Sequence, residues 1–543
     1  MIRRPAAWFA VAAAVLLLPS LLLGTMNSHS SPQNLTWAAQ FADQFRAGNP
    51  YPRWLADSFD RLGGPAFYFY PPSGFWVDAL LSVVTFDVLP VSYRLSVSWL
   101  ILLWASGLAM HVWLKEEASS PRAAFYGALA YMAAPYHLID HYYRGAYAEF
   151  AAYIALPLVA LSIRRIAEGR RFATLLLAAS YAALPMSHLP TSLLISLTAV
   201  PLYVLYRGWR LGAVKPAALF FLRCAAGGAL GLGIAAIYLV PALTLQDWIP
   251  ADSFWEGGYR LENWFLTLPT GWPEPNDMML LMSWFAAAYG LCAVAVLVAT
   301  LWRSEAAFWA VACLVCLALV AGLPPWFWKI PFTAKVQFPW RLMIVVEFAG
   351  ITALSLIPWA RLGRVPLYLL VAAVSALIPG IAPMLVGIEA RMIVSRTNPD
   401  PPADLKQFLP AGYPQKPKGG YAELSLGPVE GLPVIACMPA ARTCRAMEEK
   451  FGGLAIEVDA DAPTAVVLRR FYFPGWQLVP ALVAKPTEPL RLVAFDVPAG
   501  RSAFSLTRGS VREERIGWLV SALSLAVLAV WALVARRRRQ RTQ

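Results

Sequence analysis

Apolar runs of about 20 residues recur along this chain, the length a helix needs to cross a ~30 Å hydrocarbon layer. They lie near 6–24, 94–114, 122–138, 148–166, 172–188, 190–206, 218–241, 279–301, 306–323, 340–358, 365–388 and 516–535. Inside a bilayer every backbone N–H and C=O must be satisfied by the chain itself, so each run predicts a helix. Hydrophobic residues make up 59% of the 543 positions and charged residues only 14%, more apolar surface than a soluble fold of this size can hide. The expected class is an all-α polytopic membrane protein of about twelve transmembrane helices.

Charge orients it. The net charge is +13, from 45 basic and 32 acidic residues, and its placement argues against nucleic acid as a partner. Basic residues collect between alternate runs: Arg3 and Arg4; Lys115 and Arg122; Arg164, Arg165, Arg170 and Arg171; Arg207, Arg210 and Lys215; Arg303; Arg361 and Arg364; Arg536 to Arg539. This positive-inside pattern assigns those loops, and both termini, to the cytoplasm. It agrees with twelve spans if 74–90, which carries Asp78 and Asp87 and ends at Pro90, lies at the outer interface or is partly inserted. Arg3 and Arg4 precede the first run as in a signal peptide. No Ala-x-Ala-like cleavage site follows Gly24, so the run is expected to stay as an anchor.

Three units follow. Residues 1–389 form the transmembrane module, with a long first outer loop at 25–72 and the interfacial helix at 74–90. Residues 390–515 are richer in Pro and Gly, and then alternate with period two over Leu454–Val458, Ala465–Phe473, Leu490–Val497 and Ala503–Thr507, as antiparallel strands do. They are expected to form a small extracytoplasmic β domain, where a Cys437–Cys444 bridge is chemically permitted. Cys224, Cys292, Cys313 and Cys316 fall in spans and read as packing residues. Residues 516–543 are the last span and a basic cytoplasmic tail.

In the first loop, Ser31-Pro32 is a helix start and Gly48-Asn49-Pro50 a stop. Ala38, Phe41, Ala42 and Phe45 line one face against Gln40, Asp43 and Gln44, which predicts an amphipathic helix resting on the membrane or on neighbouring spans. Tyr51-Pro52-Arg53-Trp54 and Phe67-Tyr68-Phe69-Tyr70-Pro71-Pro72 mark this loop as a recognition surface.

Ionisable groups at membrane depth are expensive unless paired or functional. Asp140, His141, Arg144 and Glu149 sit together at the outer mouth of two spans. An Asp140–Arg144 pair closing the turn and a functional role are both open there. His188 marks another outer turn, where a hydrogen-bonded interfacial role competes with function. Arg341, within Gln337-Phe338-Pro339-Trp340-Arg341, is placed to hold a lipid phosphate, whereas Lys329 and Lys335 read as snorkelling residues. His137 and His141 have the spacing of an inverted zinc-protease motif without a third ligand. The glycosylation-like triplet Asn34-Leu35-Thr36 falls in a predicted helix. In the outer loop 242–278, carboxylates are mixed with Trp248, Trp255 and Trp264, a weak signal for sugar binding. There is no Gly-rich phosphate loop or G-x-S-x-G elbow.

The motifs in order are Gly48 to Trp54, 67–72, Tyr143-Arg144-Gly145-Ala146-Tyr147-Ala148-Glu149, 337–341 and Phe473-Pro474-Gly475-Trp476. So arranged, the chain resembles the bacterial membrane proteins labelled 6-pyruvoyl-tetrahydropterin-synthase-related, which are similar to the GT-C superfamily of polytopic glycosyltransferases. The label does not carry pterin chemistry: a soluble pterin synthase needs a zinc-binding histidine cluster, and the five His here are scattered. The resemblance implies a GT-C-like fold in a bacterial cytoplasmic (inner) membrane, with a cavity under the first loop. It implies sugars carried on polyprenyl phosphate or diphosphate, an extracytoplasmic glycan or lipid acceptor, and a first-loop carboxylate as base or metal ligand. Here the sequence departs: no acidic residue lies between Met26 and Gln40, where His29, Ser30, Gln33 and Asn34 stand.

The expected function is therefore transfer of a sugar from a polyprenyl-phosphate carrier. His29 or Asp43 would be the base, with Asp140 and Glu149 orienting. Arg53, Tyr70, Arg144, His188 and Arg341 would bind substrate, Arg144 and Arg341 at the phosphate. No cofactor is expected, and a divalent metal stays open. The alternative is a non-catalytic lipid-glycan binder or envelope assembly protein. A transporter fits less well, because ionisable residues deep in the spans are scarce.

Overall fold

The computed structural model describes residues 4–266, 277–300, 304–358, 363–397, 403–414, 426, 429 and 431–540. Helices follow the apolar runs. Among the described residues, eight are long and apolar enough to cross a membrane: Val91–Glu117, Tyr147–Ala167, Leu189–Arg210, Val214–Ile234, Met278–Thr300, Pro339–Leu356, Arg364–Arg396 and Arg512–Leu533. The remaining runs form shorter helices, Pro5–Leu16 followed by Leu18–Leu23, Pro121–Met132 followed by Pro135–Ile139, Ala173–Ser187, and Glu305–Val320. Proline sets several of these breaks. Pro135 opens a new helix after Met132, and the Ala173–Ser187 helix, with Pro185 in its last turn, gives way to extended backbone at His188 before Pro190. The helix beginning at Arg364 runs to Thr397, beyond the end of its apolar run at 388.

Ion pairs clamp the arginine-rich end of the bundle. Arg165 meets Glu116 at 2.5 Å, Arg164 meets Glu117 at 2.5 Å and Arg207 meets Glu305 at 2.8 Å. These basic residues therefore hold helix ends together as well as carrying the charge asymmetry.

The first-loop helix spans Ser31–Arg46 and packs on the helix Ser73–Val84. Pro32 starts it as expected, but the Ser31 hydroxyl donates back to Ser28 O at 3.0 Å instead of capping. Its apolar face is buried, and so is much of its expected polar face. Gln40 donates to Ser58 Oγ at 3.2 Å and accepts from Asp57 N at 3.0 Å, while Gln44 donates to Trp54 O at 2.9 Å. The helix is thus enclosed by its own loop and by the neighbouring helices Ser73–Val84 and Val91–Glu117. Arg94, at the start of Val91–Glu117, ties it down: it pairs with Asp78 at 3.1 Å and Asp87 at 2.7 Å, and donates to Ala38 O at 3.3 Å. Asp78 is fully buried beneath the helix Ser73–Val84, whose far side exposes Leu80, Val83, Val84 and, just beyond, Phe86.

Among the described residues the small C-terminal β domain contains eight strands: Ile435–Met438 (β1), Thr443–Glu448 (β2), Leu454–Ala460 (β3), Thr464–Phe471 (β4), Trp476–Val479 (β5), Lys485–Pro486 (β6), Leu492–Val497 (β7) and Gly500–Arg508 (β8). They form two antiparallel sheets of order β1-β4-β7-β6 and β2-β3-β8-β5. Leu454, Ile456, Val458 and Ala460 point inward from β3 with the period-two pattern that marked it in the sequence. The Cys437–Cys444 disulfide joins β1 to β2, and so one sheet to the other.

The aromatic motifs of the first loop are mostly mortar between that loop and the β domain. Trp54 meets Trp476 at 5.6 Å and Tyr68 meets Phe473 at 4.8 Å, while the Arg508 guanidinium lies 4.4 Å from the Trp54 ring. Such pairs contribute about 0.5–1.5 kcal/mol each beyond the area they bury. The expected recognition surface is therefore largely core.

Replacing Arg94 by Met leaves Asp78 buried without its cation, which is expected to cost about 3–5 kcal/mol. Thermal unfolding of the purified protein in detergent reads this as a large drop in midpoint. The double variant Asp78→Leu with Arg94→Met is expected to recover most of it.

Candidate functional site

The helix Pro135–Ile139 widens at Asp140–Arg144 into a π turn, a distortion frequent at functional sites. Gly145 ends it at φ 60°, and a Cβ there would stand 2.3 Å from Ser28 Oγ, so this turn and the first loop approach each other only through glycine. Three hydrogen bonds lock the two together: His29 N to Tyr143 O at 3.1 Å, Ser30 N to Arg144 O at 3.0 Å and Asn34 Nδ2 to Gly145 O at 2.7 Å. Asn34 is buried, and its role here is this contact.

Arg144 is the hub. One of its nitrogens, Nη1, lies 2.5 Å from Asp140 Oδ1, 2.8 Å from Glu149 Oε2 and 2.7 Å from the Tyr136 hydroxyl. The Tyr136 hydroxyl in turn donates to Glu149 Oε1 at 2.6 Å. Behind it Glu347 accepts from Tyr136 N at 2.6 Å and from the Tyr153 hydroxyl at 2.9 Å. Glu149 also faces Arg341 Nε at 3.5 Å and His188 Nδ1 at 4.0 Å. His188 Nδ1 lies 2.7 Å from Thr191 Oγ1.

Of these groups Arg144, Glu149, His188 and Arg341 open onto a cavity of about 560 Å³. Its polar wall holds His29, Tyr70, Arg144, Glu149, His188, Gln337, Arg341, Arg391 and Gln407. Its aromatic wall holds Phe254, Tyr259, Trp264, Phe338, Trp340 and Phe408. Around it the guanidinium groups of Arg144, Arg341 and Arg391 outnumber the carboxylates of Glu149 and Asp140. Arg341 is buried, yet its Nε and Nη1 have no hydrogen-bond partner, and neither has the buried Trp340 Nε1. Donors desolvated in this way cost free energy unless a ligand completes them, and a guanidinium matches phosphate or carboxylate oxygens.

Six of the nine residues singled out in the sequence meet at this cavity: His29, Tyr70, Arg144, Glu149, His188 and Arg341. Asp140 stands behind them, fully buried against Arg144. The other two lie elsewhere. Asp43 points away from the cavity, pairs with Arg46 at 2.6 Å and lines a separate cleft of about 240 Å³ against Glu448, Glu449 and Arg470 of the β domain. About three turns beyond Pro32, it stands roughly 16 Å along the helix axis from the end next to His29. Arg53 donates to Ile237 O at 2.7 Å with its guanidinium 3.8 Å from the Tyr51 ring, a buried structural contact. His137 and His141 turn to different partners, Tyr131 O at 3.1 Å and Ser20 Oγ at 2.7 Å. Among the described residues no three His, Cys, Asp or Glu side chains are placed to hold a metal ion.

Arg391, Gln337 and Gln407 reach the cavity without having been singled out. Arg391 donates to Asn27 O at 3.0 Å and lies 4.5 Å from the Tyr143 ring. The signal for it was the continuation Met392-Ile393-Val394, which carries the helix past the charged pair Glu389 and Arg391. From the loop 242–278, Phe254, Tyr259 and Trp264 join the aromatic wall; residues 267–276 lie outside the described residues.

No family profile and no curated protein matches this chain.

His29 is exposed on the cavity wall, with protein crowded behind its imidazole. Burial first, and then the positive charges of Arg144 and Arg391, hold its imidazole below the ordinary value. The neutral, proton-accepting form therefore dominates at pH ~7. Because protonation is disfavoured in the fold, any stability linked to His29 is present above about pH 6.5 and is lost as pH falls through the lower folded value. An NMR titration of the imidazoles is expected to give His29 a midpoint below about 6.5, moving up in Arg391→Gln. A midpoint at or above that value, unmoved by the substitution, would contradict this electrostatic picture.

Proposed function

We propose that the cavity takes the phosphate end of a lipid-linked sugar, and that the protein transfers the sugar to an extracytoplasmic glycan or lipid acceptor in the manner of a GT-C-like glycosyltransferase. One observation carries the reading: Arg341, buried in the cavity wall with Nη1 unpartnered and Nε met only by a 3.5 Å ion pair to Glu149, beside Arg144 and Arg391. A carrier phosphate supplies the oxygens those donors lack. The aromatic wall suits the C–H faces of a sugar. The arginine clusters at alternate helix ends support a bacterial inner-membrane protein of twelve spans, with both termini in the cytoplasm and the cavity on the outer side.

In this reaction the acceptor hydroxyl attacks the anomeric carbon as the bond from that carbon to the phosphate oxygen breaks, with inversion. The hydroxyl proton passes to the neutral His29 imidazole. The phosphate leaves with the bonding electron pair, and Arg144 and Arg341 compensate its charge. Glu149 is engaged by Arg144, Tyr136 and Arg341. Its part is to orient those cations, and His29 rather than Glu149 takes the proton.

A second reading, a non-catalytic binder of lipid-linked glycans, is favoured by the same engagement of Glu149 and by the first loop, which brings no carboxylate to the cavity among the described residues. The two separate cleanly. With a short-chain polyprenyl-phosphate sugar as donor, Arg341→Ala is expected to weaken binding at least about tenfold, the cost of a lost charge-assisted hydrogen bond. His29→Ala is expected to lower transfer about 10²-fold or more while binding is unchanged. Envelope glycan unaffected by His29→Ala but altered by Arg341→Ala would establish the binder instead, and indifference to both would overturn both readings.

A further inference from the structure

The segment 403–413 runs across the cavity as a strap fixed at both ends. On the first-loop side Ala403 N donates to Pro32 O at 3.3 Å, Thr36 Oγ1 donates to Ala403 O at 3.1 Å, and Asp404 Oδ2 accepts from Phe59 N at 2.6 Å. On the far side Ala411 N donates to Trp248 O at 3.0 Å, and the Tyr413 ring packs 5.2 Å from Phe471 of β4. Between these anchors Phe408 is buried against Trp37 at 5.6 Å and Phe254 at 5.8 Å. Gln407 is therefore presented to the cavity on rigid backbone, which is what a recognition group needs.

Gln407 is 4% exposed, lies on the cavity wall, and its side-chain oxygen is buried with no hydrogen-bond partner. Native folds rarely leave such an oxygen unsatisfied, and each case calls for a cause. A phosphate cannot be that cause. Phosphate oxygens and an amide oxygen are both acceptors, so the group that completes Gln407 must bring a hydrogen. The residues lining this cavity thus carry two complementary demands: donors without acceptors at Arg341 Nη1 and Trp340 Nε1, and an acceptor without a donor at Gln407. An anion alone answers the first demand. An anion bonded to a group bearing O–H or N–H answers both.

We infer that Gln407 is a specificity-determining residue whose side-chain carbonyl accepts a hydrogen from a hydroxyl or amide N–H of the sugar while Arg341 holds the phosphate. The inference rests on the lipid-linked sugar reading and adds which end of the substrate each wall recognises. It also assigns the strap a function: the residues just before the β domain carry the sugar selectivity, so substitutions there change the preferred sugar without changing the need for a phosphate. An amide carbonyl reads a hydrogen donor far more sharply than an apolar wall would, because a ligand without the donor leaves it buried and unpaired.

The test uses the full chain in lipid nanodiscs. Binding is measured for a short-chain polyprenyl phosphate, bare or carrying glucose, galactose or N-acetylglucosamine. The unaltered protein is expected to bind at least one sugar-bearing lipid more tightly than the bare one. Gln407→Leu is expected to remove that preference, about a tenfold loss for the sugar-bearing lipid, with bare-phosphate binding retained as evidence of an intact fold. Gln407→Asn, which withdraws the carbonyl by one carbon, is expected to fall between the two. Arg341→Ala is expected to weaken both lipids. Retention of the sugar preference in Gln407→Leu overturns the inference, as does an equal loss of both lipids in both Gln407 variants. No preference in the unaltered protein, with the bare lipid still bound, overturns it while leaving the phosphate seat standing. Failure to bind any of the lipids overturns the lipid-linked sugar reading itself.

Discussion

The part-buried guanidinium of Arg144 is the interaction on which the rest of the cavity depends. It stands between Asp140 and Glu149 and shares Tyr136 with the latter. Two carboxylates this close repel each other strongly in a medium of low dielectric, and the cation between them makes the arrangement tolerable. The π turn that aims Arg144 also exposes the carbonyls of Tyr143, Arg144 and Gly145, and those carbonyls hold the first loop in place. One turn thus fixes a charge network on one side and brings His29 to the cavity on the other.

Around this node three layers of structure close the space. The helix ends bring Glu149, His188, Arg341 and Arg391, the first loop brings His29 and Tyr70, and the strap 403–413 brings Gln407 and Phe408. The β domain contributes indirectly. Its Phe473, Trp476 and Arg508 interlock with Trp54 and Tyr68, so that the first loop is held between bundle and sandwich. A loop of such length pays a large conformational entropy to be ordered, and these aromatic contacts, with the Asp78–Arg94 pair beneath, offset it.

The helical class and the β domain were legible because each has a simple physical period: long apolar runs for the spans, and alternation for β3, β4, β7 and β8. The cavity was legible where charge stood out against an apolar background. Arg144, Glu149 and Arg341 are conspicuous because a charge near a hydrocarbon layer is expensive, and they do meet. Where the background was already polar, as in the first loop, sequence could not sort contacts. Asp43 and His29 look alike as candidates from their spacing, yet the length of the helix carries one to the β domain while the other, just before its first turn, stays at the cavity. The aromatics of the first loop show the same ambiguity: a ring that packs and a ring that binds are written with the same letters, and only Tyr70 of the 67–72 motif lines the cavity. Gln407 carried no signal at all, because a neutral amide in a Pro-rich stretch is ordinary until its oxygen is found buried and alone.

The central claim is that the guanidinium cluster of this cavity is a phosphate seat. A structure of the full chain in nanodiscs with polyprenyl phosphate tests it most directly. The expected result is a phosphate within about 3 Å of the Arg341 nitrogens, with the isoprenoid chain leaving the cavity towards lipid. Phosphate bound instead at the arginine-rich end of the bundle, or in the cleft beside Asp43, with Arg341 unengaged, would contradict it.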